Sequence, residues 1–98
     1  MCIRDRELDA RIGAIVALLK ETGAYENTII VFLSDNGPEP NEQAQAKPYR
    51  GLKWSALEGG TRVPCIFHWP GKLPADRTCD DLIAAIDIMP TLLSLIHI

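Results

Sequence analysis

The chain has 98 residues, of which 47% are hydrophobic, a size and composition that fit one small domain. Ten basic residues against 13 acidic ones give a net charge of −3, and no basic stripe follows the chain, so we expect no nucleic-acid partner. The apolar runs are too short to cross a bilayer, which predicts no membrane span.

Three cysteines and two histidines are spread through the chain without the clustering that a zinc site requires. The odd number of cysteines and the lack of a Cys-x-x-Cys pair argue against a disulfide framework. Cys65 lies in an apolar run, where we expect a buried thiol.

The first predicted element is an amphipathic helix over residues 6–22. Its apolar residues recur at steps of three and four and are Leu8, Ile12, Ile15, Val16 and Leu19. Gly23 is a suitable C-terminal stop, because glycine readily adopts the left-handed conformation that ends many helices. The apolar run over residues 28–33 follows and predicts a strand covered on both faces, as in a parallel sheet. A helix leading into such a strand indicates an α/β fold.

Residues 37–48 carry three prolines and few apolar groups, which predicts a surface loop. A second strand is predicted over residues 63–69, before a Pro-Gly pair, and a short third strand over residues 82–86. Asp87 is predicted to cap a final helix over residues 88–95.

The residues directly after the first strand are the strongest candidates for a site. Asp35 and Asn36 offer a carboxylate and a carboxamide oxygen, which suit Ca²⁺ or Mg²⁺. Arg50 and Lys53 offer positive charges that suit a tetrahedral dianion. Together they indicate a metal site that handles oxyanions, at the end of a strand where α/β proteins bind ligands.

Simpler interpretations exist for the same residues. Asn36-Gly37 is a strong signal for a tight hairpin, but residues 38–42 lack the alternation of a second strand. A single lysine or arginine is usually a solvated surface residue. Glu58 is interpreted as a turn former rather than a general acid or base, and Arg62 as an ion-pairing or loop-bracing residue. His68 is expected to be a packed or edge residue of its strand.

Five ordered segments carry a resemblance to a known family. They are Leu33-Ser34-Asp35-Asn36-Gly37-Pro38-Glu39, Arg50-Gly51-Leu52-Lys53, Glu58-Gly59-Gly60-Thr61-Arg62-Val63-Pro64, Trp69-Pro70-Gly71-Lys72 and Ile86-Asp87-Ile88-Met89-Pro90-Thr91-Leu92-Leu93. In this order they resemble the type I sulfatases of the alkaline phosphatase superfamily. The resemblance covers residues 7–95, whereas residues 1–6 and 96–98 are interpreted as non-native or, at the N-terminus, disordered.

The resemblance implies an alkaline-phosphatase-like α/β fold, with a mixed, mostly parallel sheet flanked by helices, and hydrolysis of sulfate esters. It implies that Asp35 and Asn36 ligate Ca²⁺, with Mg²⁺ less favoured. Lys53 is the implied catalytic residue, since it would hold the sulfate and its leaving-group oxygen, and Arg50 is a second substrate-binding candidate. The implied partner is a sulfated small molecule or a sulfated glycan. A periplasmic or extracellular location is suggested by the family only.

The nucleophile of that family is a formylglycine hydrate, made from a cysteine or serine in a Cys/Ser-X-Pro-X-Arg motif. None of Cys2, Cys65 and Cys79 lies in such a motif. The chain is therefore interpreted as an internal fragment that holds part of the metal and sulfate site and is inactive alone. A phosphonate or phosphate ester hydrolase of the same superfamily and a non-catalytic Ca²⁺-binding module remain as alternatives.

Overall fold

The structure is a computed structural model that describes residues 3–40 and 45–96. Its elements are α1 (Ile3–Glu21), β1 (Ile30–Leu33), α2 (Glu58–Thr61), β2 (Cys65–His68) and α3 (Ile88–Leu95), with short 3-10 turns at Tyr25–Asn27 and Ala85–Asp87. They divide between two compact units. One unit comprises residues 1–33 and 64–75 and holds α1 and the sheet; the other comprises residues 34–63 and 76–98 and holds α2 and α3.

Helix α1 begins at Ile3, three residues before its predicted start, so Ile3–Arg6 are helical. On the predicted apolar face, Ile12, Val16 and Leu19 are half-buried, whereas Leu8 and Ile15 are 54% and 60% exposed. The non-native origin proposed for residues 1–6 and 96–98 stays a prediction. Residues 1, 2, 97 and 98 lie outside the described residues. No helix within the described part of the chain is long and apolar enough to cross a membrane.

Gly23 ends α1 as predicted. The φ of Gly23 is +73°. The N–H of Gly23 donates to the carbonyl of Lys20 at 3.2 Å, and the N–H of Ala24 donates to the carbonyl of Leu19 at 2.9 Å. This pair of hydrogen bonds is the Schellman arrangement, in which a left-handed residue satisfies the last helical carbonyls.

The sheet of the described residues contains one pair of strands. Strand β1 pairs with β2 in an antiparallel register, with Leu33 opposite Cys65 and Ile30 opposite His68. This pair is compatible with the predicted mixed, mostly parallel sheet, because a mixed sheet contains both kinds of pairing. The strand is also incompletely covered, since Phe32 and Leu33 are each 38% exposed, and Cys65, predicted to be buried, is exposed.

The C-terminal segment confirms one element and corrects another. Helix α3 spans Ile88–Leu95 as predicted. The predicted strand over residues 82–86 is absent: Leu82 is fully exposed and the 3-10 turn begins at Ala85. No strand in residues 3–40 or 45–96 lies beside it to form a ladder. Asp87 precedes α3, but its carboxylate accepts the N–H of Ala84 at 2.7 Å instead of capping α3.

Burial is concentrated in backbone rather than in side chains. No hydrophobic side chain of the described residues is fully buried. The buried positions in the described ranges are Gly37, Gly59 and Gly60. These glycines mark where the chain packs most tightly, and they surround the candidate site.

Candidate functional site

The candidate site lies in the unit that contains α2 and combines three segments. They are the acid-amide loop (residues 34–40), the lysine segment (residues 50–54) and α2. The N–H of Gly37 donates to the carbonyl of Gly60 at 2.9 Å, that of Gly59 to Arg50 at 2.8 Å, and that of Lys53 to Pro38 at 2.9 Å. Each segment is thereby hydrogen-bonded through its backbone to the other two.

The three glycines allow this close approach because they lack a Cβ atom. A Cβ at Gly37 would overlap the carbonyl oxygen of Gly59, and one at Gly59 would overlap that of Gly51. A Cβ at Gly60 would overlap the carbonyl of Ser55. Asn36-Gly37 is therefore not the turn of a hairpin, because its glycine packs against α2 and the partner of β1 is β2. The hairpin interpretation is wrong.

Asp35 and Asn36 carry oxygen atoms with different local partners. The Oδ1 atom of Asp35 accepts a hydrogen bond from the N–H of Asn36 at 2.9 Å. Asp35 is exposed. The Nδ2 atom of Asn36 donates to the carbonyl of Gly37 at 2.9 Å. Because the amide nitrogen is engaged with the backbone, the amide oxygen is the atom left to serve a ligand.

These two oxygen donors fit a hard cation in chemical type but not in number. A Ca²⁺ ion takes about six to eight oxygen ligands. In the described ranges, no group of three or more His, Cys, Asp and Glu residues could hold a metal ion. To hold such an ion, Asp35 and Asn36 would need further ligands from outside the described residues.

Lys53 is held between an acid and an aromatic ring. Its Nζ atom lies 3.4 Å from Oε2 of Glu39, in the acid-amide loop, and 5.2 Å from the centroid of the Trp54 ring. The side chains of Lys53 and Glu39 are 33% and 41% exposed, so water weakens this ion pair. The structure thus joins Lys53 to the loop of Asp35 and Asn36 through both its backbone and its side chain.

Arg50 contributes to the site through its backbone. Its carbonyl accepts the N–H of Gly59, while the residue itself is exposed. Arg62 forms an ion pair with Glu58 at 3.4 Å and stacks over Tyr49, with 4.8 Å from Cζ to the ring centroid. The ion-pairing role predicted for Arg62 agrees with these contacts, whereas the turn-forming role of Glu58 stays a prediction.

His68 belongs to the other unit and has a structural contact there. Its Nε2 atom lies 2.7 Å from the hydroxyl of Tyr25, and the two rings are 5.6 Å apart. It is an edge residue of β2, as predicted, because it pairs with Ile30 at the end of the strand.

Sequence reasoning missed Glu39 and Trp54. Glu39 belongs to the first of the quoted motifs, and its pairing with Lys53 joins residues fourteen positions apart, which no local pattern indicates. Trp54 carries no signal in the sequence beyond its place next to Lys53, yet it is 84% exposed with a φ of +74°. A bulky residue with positive φ cannot be recognised from the sequence pattern alone.

The helices and the sheet define an α/β protein. Its candidate site residues lie in the loops that follow β1 in the chain. The chain belongs to the sulfatase family, whose profile matches residues 6–98. Both the resemblance noted in the sequence and the expected α/β class, as part of an alkaline-phosphatase-like fold, are thereby confirmed.

Relatives in sequence and structure agree with this membership. The N-acetylgalactosamine-6-sulfatase of Canis lupus familiaris is 39% identical over 94 residues, which are 92% of this chain and 18% of the relative. A sulfatase from Pseudoalteromonas sp. superposes with a TM-score of 0.86 at 42% identity, covering 97% of this chain and 20% of that one. Ps i-CgsB, solved in complex with k-i-k-neocarrahexaose, gives 0.85 at 41% identity, covering 89% and 19%. The chain therefore spans about a fifth of the length of these relatives.

Proposed function

We propose that the full-length protein, meaning a protein of the relatives' length that carries this chain, hydrolyses sulfate esters of sugars. Membership of the sulfatase family supports the reaction class. The sugar is supported by a relative named for N-acetylgalactosamine 6-sulfate and by a structural neighbour solved with a neocarrahexaose. Within the chain, the main support is the 2.9 Å hydrogen bond from the N–H of Lys53 to the carbonyl of Pro38. This bond holds the segment of Lys53, the candidate sulfate-binding residue, beside the loop of Asp35 and Asn36.

Asp35 and Asn36 would hold Ca²⁺, with the remaining ligands supplied from outside this chain. A bound divalent cation supplies positive charge against the oxygens of the sulfate. The nucleophile, a formylglycine hydrate in this family, would likewise come from outside the chain.

Lys53 has the role of binding a sulfate oxygen and stabilising the negative charge that develops on the leaving-group oxygen as the S–O bond breaks. Its ammonium group is a compact charge with three donors, so it can contact more than one oxygen at once. The carboxylate of Glu39 pairs with this ammonium group at 3.4 Å, which leaves other N–H groups of Lys53 for the ester. Arg50 adds a second positive charge on the same segment.

The test replaces Lys53 in the full-length protein. Lys53→Ala should lower kcat for sulfate release from N-acetylgalactosamine 6-sulfate by roughly 10²–10³-fold, the usual effect of removing one transition-state donor. Lys72→Ala is the matched control, since Lys72 is an exposed lysine of the other unit. Circular dichroism of both variants checks that they fold. An unchanged kcat in Lys53→Ala would remove Lys53 from the mechanism.

The same assay separates the proposal from its closest alternative. A phosphonate is also a tetrahedral anion that a lysine and a divalent cation can bind, so kcat/KM for an aryl phosphonate is measured beside that for the sulfate ester. A higher kcat/KM for the sulfate ester is expected. A higher value for the phosphonate would replace the proposal with phosphonate hydrolysis, and the absence of both activities would favour a non-catalytic module.

A further inference from the structure

Trp54 occupies a turn position at which a large side chain is unfavourable. The N–H of Ser55 donates to the carbonyl of Leu52 at 3.0 Å, which closes a four-residue turn with Trp54 in the third position. The φ of Trp54 is +74°, the value that a type II turn requires at this position and that glycine adopts most easily. The chain therefore carries its bulkiest residue type where the backbone favours its smallest.

The ring of Trp54 gains little from the fold in return. Within the described part of the chain Trp54 is 84% exposed, so these residues leave most of the indole uncovered. Its recorded contact is with the ammonium group of Lys53, 5.2 Å from the ring centroid. An unfavourable backbone conformation that brings no burial is a reason to look for a functional role, because such conformations concentrate at binding sites.

The turn also keeps Trp54 close to the candidate sulfate-binding group. Residue 53 is hydrogen-bonded through its N–H to Pro38, which anchors one side of the turn to the acid-amide loop. The exposed ring and the Lys53 ammonium are thus adjacent and both accessible. A ligand with an anionic group on a ring that has an apolar face would contact the lysine and the indole together.

We propose that Trp54 is a substrate-positioning residue, whose indole stacks against the pyranose ring that carries the sulfate ester held by Lys53. This inference rests on the proposed function. The C–H groups on one face of a pyranose suit the electron-rich face of an indole, and an open, one-sided platform suits a sugar unit of a glycan. The role of Trp54 is therefore to select sulfated sugars and to orient the ester, and the residue takes no part in bond breaking.

A different role for the ring must be separated from stacking on the sugar. The indole face attracts the ammonium group, so Trp54 could serve only to hold Lys53 in place. In that case, loss of the ring weakens the binding of every anion that contacts Lys53. If the ring instead contacts the sugar, its loss weakens the binding of the sulfated sugar and leaves the binding of inorganic sulfate unchanged.

Three variants of the full-length protein make this distinction. Trp54→Gly removes the ring and relieves the positive φ, so the melting temperature should not fall. Trp54→Phe keeps an aromatic face at the same backbone position. Asp80→Ala is the control, because Asp80 is an exposed polar residue of the same unit that lies outside the site.

The measurements are KM and kcat for N-acetylgalactosamine 6-sulfate and the inhibition constant of inorganic sulfate. We expect Trp54→Gly to raise KM on the order of tenfold, Trp54→Phe to raise it much less, and Asp80→Ala to leave it unchanged. The inhibition constant of inorganic sulfate should be the same in all four proteins. The melting temperature of each variant is recorded in parallel.

Each contrary outcome has a defined meaning. An unchanged KM in Trp54→Gly overturns the positioning role while the proposed function stands. An equal rise in KM and in the inhibition constant of sulfate also overturns it, since the ring would then act only on Lys53. A wild-type protein that releases no sulfate from the sugar overturns the proposed function, and the role of Trp54 with it.

Discussion

Asp35 and Asn36 differ in the local hydrogen bonds that their side chains make. The amide nitrogen of Asn36 is engaged with the Gly37 carbonyl, which leaves the amide oxygen for a ligand. Asp35 uses Oδ1 on the next N–H and remains exposed. Adjacent residues thus offer one charged and one neutral oxygen, the mixture that Ca²⁺ sites commonly use.

At this scale we predict that Asp35→Ala abolishes Ca²⁺ retention by the full-length protein. The carboxylate supplies much of the attraction for a divalent ion, so its loss releases the ion. The negative charge of the sulfate then has no metal ion to balance it. Metal content after dialysis, measured by elemental analysis, and turnover should fall together. Asp80→Ala is the control, because Asp80 is an exposed acid of the same unit away from the site. Wild-type Ca²⁺ content in Asp35→Ala would refute the assignment.

The loops and α2 depend on backbone contacts that side chains would prevent. The three hydrogen bonds between the acid-amide loop, the lysine segment and α2 form only because Gly37, Gly59 and Gly60 leave room for carbonyl groups. Lys53 is thereby positioned by the packing of elements and only weakly by its exposed ion pair with Glu39.

This packing predicts opposite effects for two glycine-to-alanine substitutions. Gly59→Ala should destabilise the full-length protein by about 1–3 kcal/mol, because its Cβ meets the Gly51 carbonyl and neither backbone can move freely. Gly13→Ala, inside α1, should stabilise it by roughly 0.5–1 kcal/mol, since no atom of the described residues lies within 4 Å of the new Cβ. Urea unfolding measures both free energies of unfolding. Equal effects would show that the backbone contact at Gly59 is unimportant.

Over the whole molecule, the described residues form elements without a hydrophobic core. No apolar side chain in residues 3–40 or 45–96 is fully buried, and large ones such as Ile3, Leu82 and Ile86 are at least 83% exposed. Burial of apolar surface is the main favourable term in folding, so these elements gain little of it by themselves.

We therefore predict that the isolated 98-residue chain folds poorly, aggregates and is inactive. Its near-ultraviolet circular dichroism should be weak, and it should bind a hydrophobic dye in the absence of denaturant. The full-length protein, measured beside it, should do neither. A cooperative thermal transition of the isolated chain as a monomer would contradict this expectation.

Local patterns accounted for a large part of the fold. The three-and-four spacing of Ile12, Val16 and Leu19 identified α1, and Gly23 marked its end, because helix periodicity and left-handed glycine act over a few neighbouring residues. The positions of Asp35, Asn36 and Lys53 in ordered motifs indicated the family, which the comparisons confirmed. Each of these features depends on residues that are close together in the sequence.

Other features arise only when distant parts of the chain meet. The antiparallel pairing of β1 with β2, the packing of Gly37 on α2 and the ion pair of Lys53 with Glu39 each join residues that are far apart in sequence. The strand expected over residues 82–86 failed for the same reason, since a strand requires a neighbouring ladder that its own composition cannot guarantee. Propensity acts locally, whereas pairing, close approach and the left-handed turn at Trp54 depend on which surfaces the folded chain brings together.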